Sequence, residues 1–177
     1  MADTPEPFYE LATNRSAPFR CSEQDRAHYR SVGGETYVRL HCAYDNHAYY
    51  QATDVAVLDA VRGCGWCTHV LVTNSDNGYH PDFLAAALKE RADLVTTDFI
   101  DHGVSVVAAE WRWGEVDLGG VLATKAIVAR TGGFIASLPP HAGPQETHDN
   151  DYWFVHKALE LGATTAIIRG RYLFLHN

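Results

Sequence analysis

Apolar positions follow no regular period at the start of the chain. Residues 1–35 are polar and irregular, broken by Pro5, Pro7, Pro18, Gly33 and Gly34, and neither a strand nor a repeat stands out. From Thr36 the pattern sharpens. "TYVRLHCAY" predicts a strand. "QATDVAVLDAVR" carries apolar residues at helical spacing and predicts a helix that stops before Gly63. "THVLVT" reads as a buried strand, followed by the polar "NSDNGYH" and by "PDFLAAALKER", a helix with Pro81 in its first turn. "ADLVTTDF" and "GVSVVAAEWRW" predict two further strands. "GGVLATKAIVARTGGF" holds a short helix closed by Gly132 and Gly133. "PPHAGPQETHDN" reads as a loop, "DYWFVHKALELG" as a helix ending at Gly162, and "TTAII" and "RYLFLHN" as late strands.

Strands alternating with helices predict an α/β sandwich around a mainly parallel or mixed sheet. Ligands bind such sheets beyond the carboxyl ends of the strands. The 177 residues suffice for one domain with a sizeable core, and 46% apolar with 20% charged residues argues against disorder. The formal charge of −8 excludes a generic binder of nucleic-acid backbones, but not one phosphorylated ligand held through a cation. No apolar run reaches the length of a membrane span, and "MADTPEPFYELATNR" lacks the pattern of a signal peptide. The expectation is a soluble, unexported chain, cytoplasmic or of unassigned location.

Candidate chemistry gathers at the predicted strand ends. Asn74 and Asp76 in "TNSDNGYH" are two apart, so an extended segment turns both side chains the same way. Asp and Asn oxygens suit hard divalent cations, but Asn, Ser, Asp and Gly are also good turn formers. In "THDNDYW", Asp149 and Asp151 open a helix, where carboxylates favour the helix dipole. One of them could equally serve as a general base. His176 in the terminal "FLHN" is either a metal ligand or an ordinary hydrogen-bonded histidine. The pair Cys64 and Cys67 in "CGWC" closes a helix rather than opening one after a strand. Ordinary thiols are expected, with a thiol or zinc centre including His69 as a rival.

In their order and spacing, these segments resemble the GT-A glycosyltransferases, especially the family-2-like group, from about Cys42 to the end. "YYQATDVAVLDAV" leading to "CTHVLVTNSDNGYHPDFL" is similar to the helix and strand that end in a D-x-D motif, read here as Asn74-Ser75-Asp76. "GGVLATKAIVARTGGF" resembles the acceptor-side segment. "HDNDYWFVHKALELG" resembles the E-D-x-D-x-W helix, with His148 where the family usually has Glu.

The resemblance implies a GT-A, Rossmann-like three-layer sandwich with a mixed, mainly parallel central sheet over residues 36–177, the segment 1–35 being an irregular extension. It implies transfer of a sugar from a UDP- or GDP-sugar to a hydroxyl of a glycan or other acceptor. Asp76, Asn74 and His176 would hold Mn²⁺ or Mg²⁺. Asp149 would be the base of an inverting transfer. Asp151, Trp153, Asn77, Asp54, Gly119 and Gly120 would line the donor and acceptor subsites. The family's usual N-terminal nucleoside-binding strands have no counterpart in residues 1–35, where Tyr9, Asn14 and Arg15 are possible contacts. A non-catalytic GT-A-like module that binds a glycan or a partner protein is the alternative.

Overall fold

The computed structural model describes residues 27–32, 35–40, 46–73 and 77–176. Within them the fold is mixed α/β, with five helices, two four-stranded mixed sheets and one separate hairpin. The hairpin pairs β1 (Ala27–Val32) with β2 (Glu35–Leu40) antiparallel, Val32 opposite Glu35. β1 therefore falls inside the segment expected to be irregular. It reads poorly as a strand by itself because its regularity comes from pairing with "ETYVRL".

Helix α1 (Asn46–Gly63) buries Tyr50, Asp54, Val57 and Val61, a stripe spaced by four, three and four residues. Their neighbours in the main core include Leu94, Ile127, Phe134 and Phe154. The first sheet has the order β3 (His69–Leu71), β8 (Leu122–Thr124), β5 (Leu94–Thr97), β9 (Thr165–Ile168). β5 and β9 are parallel, and β8 runs antiparallel to both of its neighbours. The second sheet has the order β4 (Gly78–Tyr79), β10 (Phe174–His176), β6 (Phe99–Asp101), β7 (Ser105–Val107). There β10 and β6 are parallel, and both edge pairs are antiparallel. The expected mixing of directions is found. Antiparallel pairs nevertheless outnumber parallel ones in both sheets, because β8 lies between β3 and β5 in the first and the edge strands β4 and β7 pair antiparallel in the second.

The run "ADLVTTDF" is two strands, not one. The parallel pair β5 and β9 of the first sheet continues as β6 and β10 of the second, and Asp98 stands at the crossing. Its carboxylate accepts from the backbone N–H of Ala109 (3.1 Å) and Gly170 (2.8 Å) and from the Arg169 guanidinium (2.9 Å). Arg169 also donates to Ala109 O (2.6 Å) and Glu110 (2.7 Å). Burial alone would raise the Asp98 pKa. The donors from Gly170, Arg169 and Ala109 outweigh it and hold the carboxyl below its ordinary value.

The predicted helix after Pro81 is the short α2 (Phe83–Ala87), which buries Phe83, Ala86 and Ala87. α3 (Lys125–Thr131) starts at the Thr124 hydroxyl, which accepts from Ile127 N–H (3.3 Å), and stops at Gly132 with φ +80. The segment expected as a loop contains α4 (Pro144–His148). Pro144 stands in its first turn, and the Glu146 carboxylate accepts from Gly143 N–H (2.9 Å). α5 (Asn150–Glu160) follows at once and buries Asn150, Phe154, Val155 and Ala158.

Cys64 and Cys67 are joined by a disulfide, so the ordinary thiols expected there are not found. Each sulfur is bonded to the other, which also removes both as thiolate ligands for zinc. The turn between α1 and β3 brings the two Cα atoms to 5.4 Å, inside the range a disulfide needs. Cys21 and Cys42 lie outside the described residues. No helix among the described residues is long and apolar enough to cross a membrane.

Candidate functional site

The second sheet gathers the polar chemistry at one end. β6 and β10 pair in parallel register, which sets Asp101 opposite His176. His176 Nδ1 lies 2.7 Å from Asp101 Oδ1. His102 follows on the β6–β7 turn, with its Nε2 3.8 Å from the same oxygen and its ring centroid 5.1 Å from that of His176. The turn is fixed by His102 N–H donating to His176 O (2.6 Å) and Val104 N–H donating to Asp101 O (3.0 Å). His102 has φ +47, uncommon for a residue other than glycine, and Gly103 has φ +68.

Asp117 approaches His176 from another side. It precedes the 3₁₀ turn Leu118–Gly120, and its Oδ1 accepts from Gly119 N–H (2.8 Å). Its Oδ2 lies 3.5 Å from His176 Nε2. Burial raises the Asp117 pKa, and the nearby His176 and the Gly119 N–H oppose the rise.

The flanks of the polar loop after β3 meet that same turn. The Tyr79 hydroxyl donates to Gly119 O (2.7 Å) and lies 2.6 Å from Thr73 Oγ1. Asn77 also lies against Gly119, where a Cβ would collide with the Asn77 amide and come within 2.9 Å of Asp117 Oδ1 and Phe174 Cζ. The buried Asn77 Oδ1 has no hydrogen-bond partner. Asn74 and Asp76 lie outside the described residues. Of their described neighbours, Asn77 lies against Gly119 of the turn that carries Asp117, and Thr73 lies against Tyr79, whose hydroxyl donates to that turn.

Asp149 and Asp151 border the junction of α4 and α5. The Asp149 carboxylate accepts from Gln145 Nε2 (2.7 Å) and lies 3.0 Å from His148 Nδ1. Burial alone would raise the Asp149 pKa, but Gln145, His148 and Trp113 together hold it below the ordinary carboxylate value. Asp151 behaves oppositely. Burial, reinforced by the negative charges of Asp117 and Asp149, pushes it up to about 6 against one main donor, Tyr152 N–H. The charge of Asp117 thus bears on Asp151 as well as on His176. Trp153 is half-buried, its ring 5.3 Å from that of Tyr152 and 5.6 Å from that of His156.

The remaining candidates serve the fold. Asp54, expected at the donor sugar, is buried within α1, and its two oxygens accept from Phe134 N–H (2.6 Å) and Ile135 N–H (2.8 Å). Gly133, at φ +100, permits that approach, because a Cβ there would strike the carboxylate. Gly119 and Gly120 are buried against Phe174, with Asn77 also against Gly119, so their lack of a side chain accommodates protein atoms.

Sequence reasoning passed over Asp101, His102 and Asp117. "DFIDHG" carries an Asp–His pair before a glycine at a strand end, and "EVDLGG" carries an Asp just before a glycine turn. Those are the signals that would have found them.

No protein-family model matches the chain, and a search of curated proteins finds no matching relative. A functional reading therefore rests on residues and their arrangement.

Proposed function

We propose that this chain is a metal-dependent glycosyltransferase of the GT-A type, its sheets and helices forming the three-layer, Rossmann-like sandwich of that fold. It would transfer a sugar from a UDP- or GDP-sugar to an acceptor hydroxyl. One observation carries this reading: His176, Asp117 and Asn77, the residue after Asn74-Ser75-Asp76, meet at one end of the second sheet, and the Asp117 charge adds to the rise in the Asp151 pKa. Oxygen and imidazole donors together suit a divalent cation. Asp76 and His176, with Asn74, would hold Mn²⁺ or Mg²⁺, which would neutralise charge on a departing diphosphate.

The protein's own part in the reaction is proton transfer and orientation. The acceptor hydroxyl loses its proton to a carboxylate at the start of α5, and its oxygen attacks the anomeric carbon as the bond to the diphosphate breaks on the opposite face. Asp149 is the base that the resemblance implies. Its carboxyl is held low by Gln145, His148 and Trp113, so it is ionised but weakly basic. Asp151, at about 6, is better matched to accepting a proton at neutral pH.

Calorimetric titration of UDP and GDP, with and without Mn²⁺, tests the reading on wild type and Asp76→Ala. Metal-dependent nucleotide binding, weakened by Asp76→Ala, is expected. Its absence in the wild type would overturn the reading. Glycan binding that persists in a chelator, without donor turnover, would favour the non-catalytic alternative.

A further inference from the structure

We propose that Asp101, His102 and His176 form a transition-metal site, with Asp117 orienting the His176 imidazole. The site shares His176 with the metal set of the transferase reading but does not rest on that reading, since Asp101 and His102 belong to neither that set nor the Asn74–Asp76 loop.

The three residues each offer one ligand atom, and these atoms lie within 4.8 Å of one another. Two ligands on one ion with bonds of about 2.1 Å are at most about 4.2 Å apart. Small side-chain rotations therefore close the set without moving the sheet. The backbone fixes all three positions. The parallel register sets Asp101 opposite His176, and the bond from His102 N–H to His176 O clamps the turn. The left-handed backbone at His102 keeps its imidazole beside that of His176.

The surroundings of His176 give a separate reason. Its two ring nitrogens face carboxylates, Asp101 at 2.7 Å and Asp117 at 3.5 Å. A neutral imidazole donates from one nitrogen only, so its other nitrogen meets an acceptor oxygen unless a second proton or a cation lies between them. An ion between Nδ1 and Asp101 removes that conflict, while Nε2–H points to Asp117, the arrangement in which an outer carboxylate orients a metal-bound histidine. Two nitrogens and one carboxylate oxygen favour Mn²⁺, Co²⁺ or Zn²⁺ over Ca²⁺, whose ligands are almost all oxygens.

The test uses the full chain, stripped with a chelator and titrated with Mn²⁺ alone by calorimetry. One ion per chain is expected. Asp101→Asn and His102→Asn should each weaken binding by about tenfold or more, and Asp117→Asn by less. Asn tolerates the left-handed turn, so His102→Asn removes the imidazole and keeps the backbone. In the wild type, substoichiometric Mn²⁺ should broaden the imidazole NMR signals of both His102 and His176 before those of exposed His80. This readout needs no variant to fold.

The proposal is overturned if the wild type takes no ion, if Asp101→Asn and His102→Asn bind as wild type, or if neither imidazole broadens. Loss of binding in Asp76→Ala alone, with the Asp101 and His102 variants unaffected, would also overturn it. Mn²⁺ bound at these residues without metal-dependent nucleotide binding would leave this site standing and retire the transferase reading.

Discussion

Asp98 and Asp151 are the same residue type, and burial is the largest influence on both, yet they end on opposite sides of the ordinary carboxylate value. At the crossing between the sheets, Asp98 meets two backbone N–H groups and the Arg169 guanidinium, and its charge is welcome. At the start of α5, Asp151 has Tyr152 N–H as its main donor and two carboxylates for neighbours, and its charge is resisted. Desolvation thus does not decide what a carboxylate does; the balance of donors and like charges around it does. The first arrangement holds two sheets together. The second keeps a proton within reach of neutral pH, which is what acid–base chemistry needs.

The most severe break of this contrast is Asp98→Ala. It leaves two N–H groups and a guanidinium without their acceptor, and it should cost about 3 kcal/mol in chemical denaturation. Asp98→Asn should recover part of that loss.

Asp151→Asn should act in the opposite direction. The Asp151 pKa in the folded protein, about 6, lies above the ordinary value of 3.8. Its contribution to stability is therefore full below about pH 4 and is lost as pH rises through about 6. Replacing it should raise stability at pH 7 by about 1–3 kcal/mol. Asp98 has the reverse sign, because its contribution is present above about pH 4 and falls away as acid protonates it. Denaturation midpoints from pH 3 to 8 should show the limb between 4 and 7 flattened by Asp151→Asn and the acid limb flattened by Asp98→Ala.

Three smaller changes sharpen the boundary between fold and site. Gly119→Ala crowds Asn77, Asp117 and Phe174 and should cost about 1–3 kcal/mol. It should also lower Mn²⁺ affinity, since the turn carries Asp117. Gly65→Ala meets open space and should leave thermal stability within a degree or two of wild type. Cys64→Ser removes a link that spans a separation of only three residues, so its cost in denaturation should not exceed about 2 kcal/mol.

Much of the fold is legible in the chain. The alternation of strands and helices, the stripe along α1 that includes Asp54, and the glycine stop of α3 follow from local spacing and stereochemistry. The stripe even held the clue to Asp54: a carboxylate in register with Tyr50, Val57 and Val61 turns inward with them. The break at Asp98 was hidden, because a run that reads as one strand does not reveal that its two halves join different sheets. α4 was hidden as well, since a five-residue helix carries no period, and only "GPQE" marks its start.

For the candidate site, the sequence by itself determined which residues are capable of the chemistry: His176 on a terminal strand, Asp149 and Asp151 at a helix start, and Asn74 and Asp76 after a buried strand. It also determined that they fall at the ends of strands and helices, because turn formers and caps are local choices. The tertiary structure alone decided their company. Asp101 faces His176 across 75 residues because two distant strands pair in parallel, and no local period encodes that register. Asp117 reaches His176, and adds its charge to the surroundings of Asp151, only after the 3₁₀ turn packs on Phe174. Burial and the field of neighbouring charges are sums over such long-range contacts, so the chemical state of each carboxylate emerges only when the chain has folded.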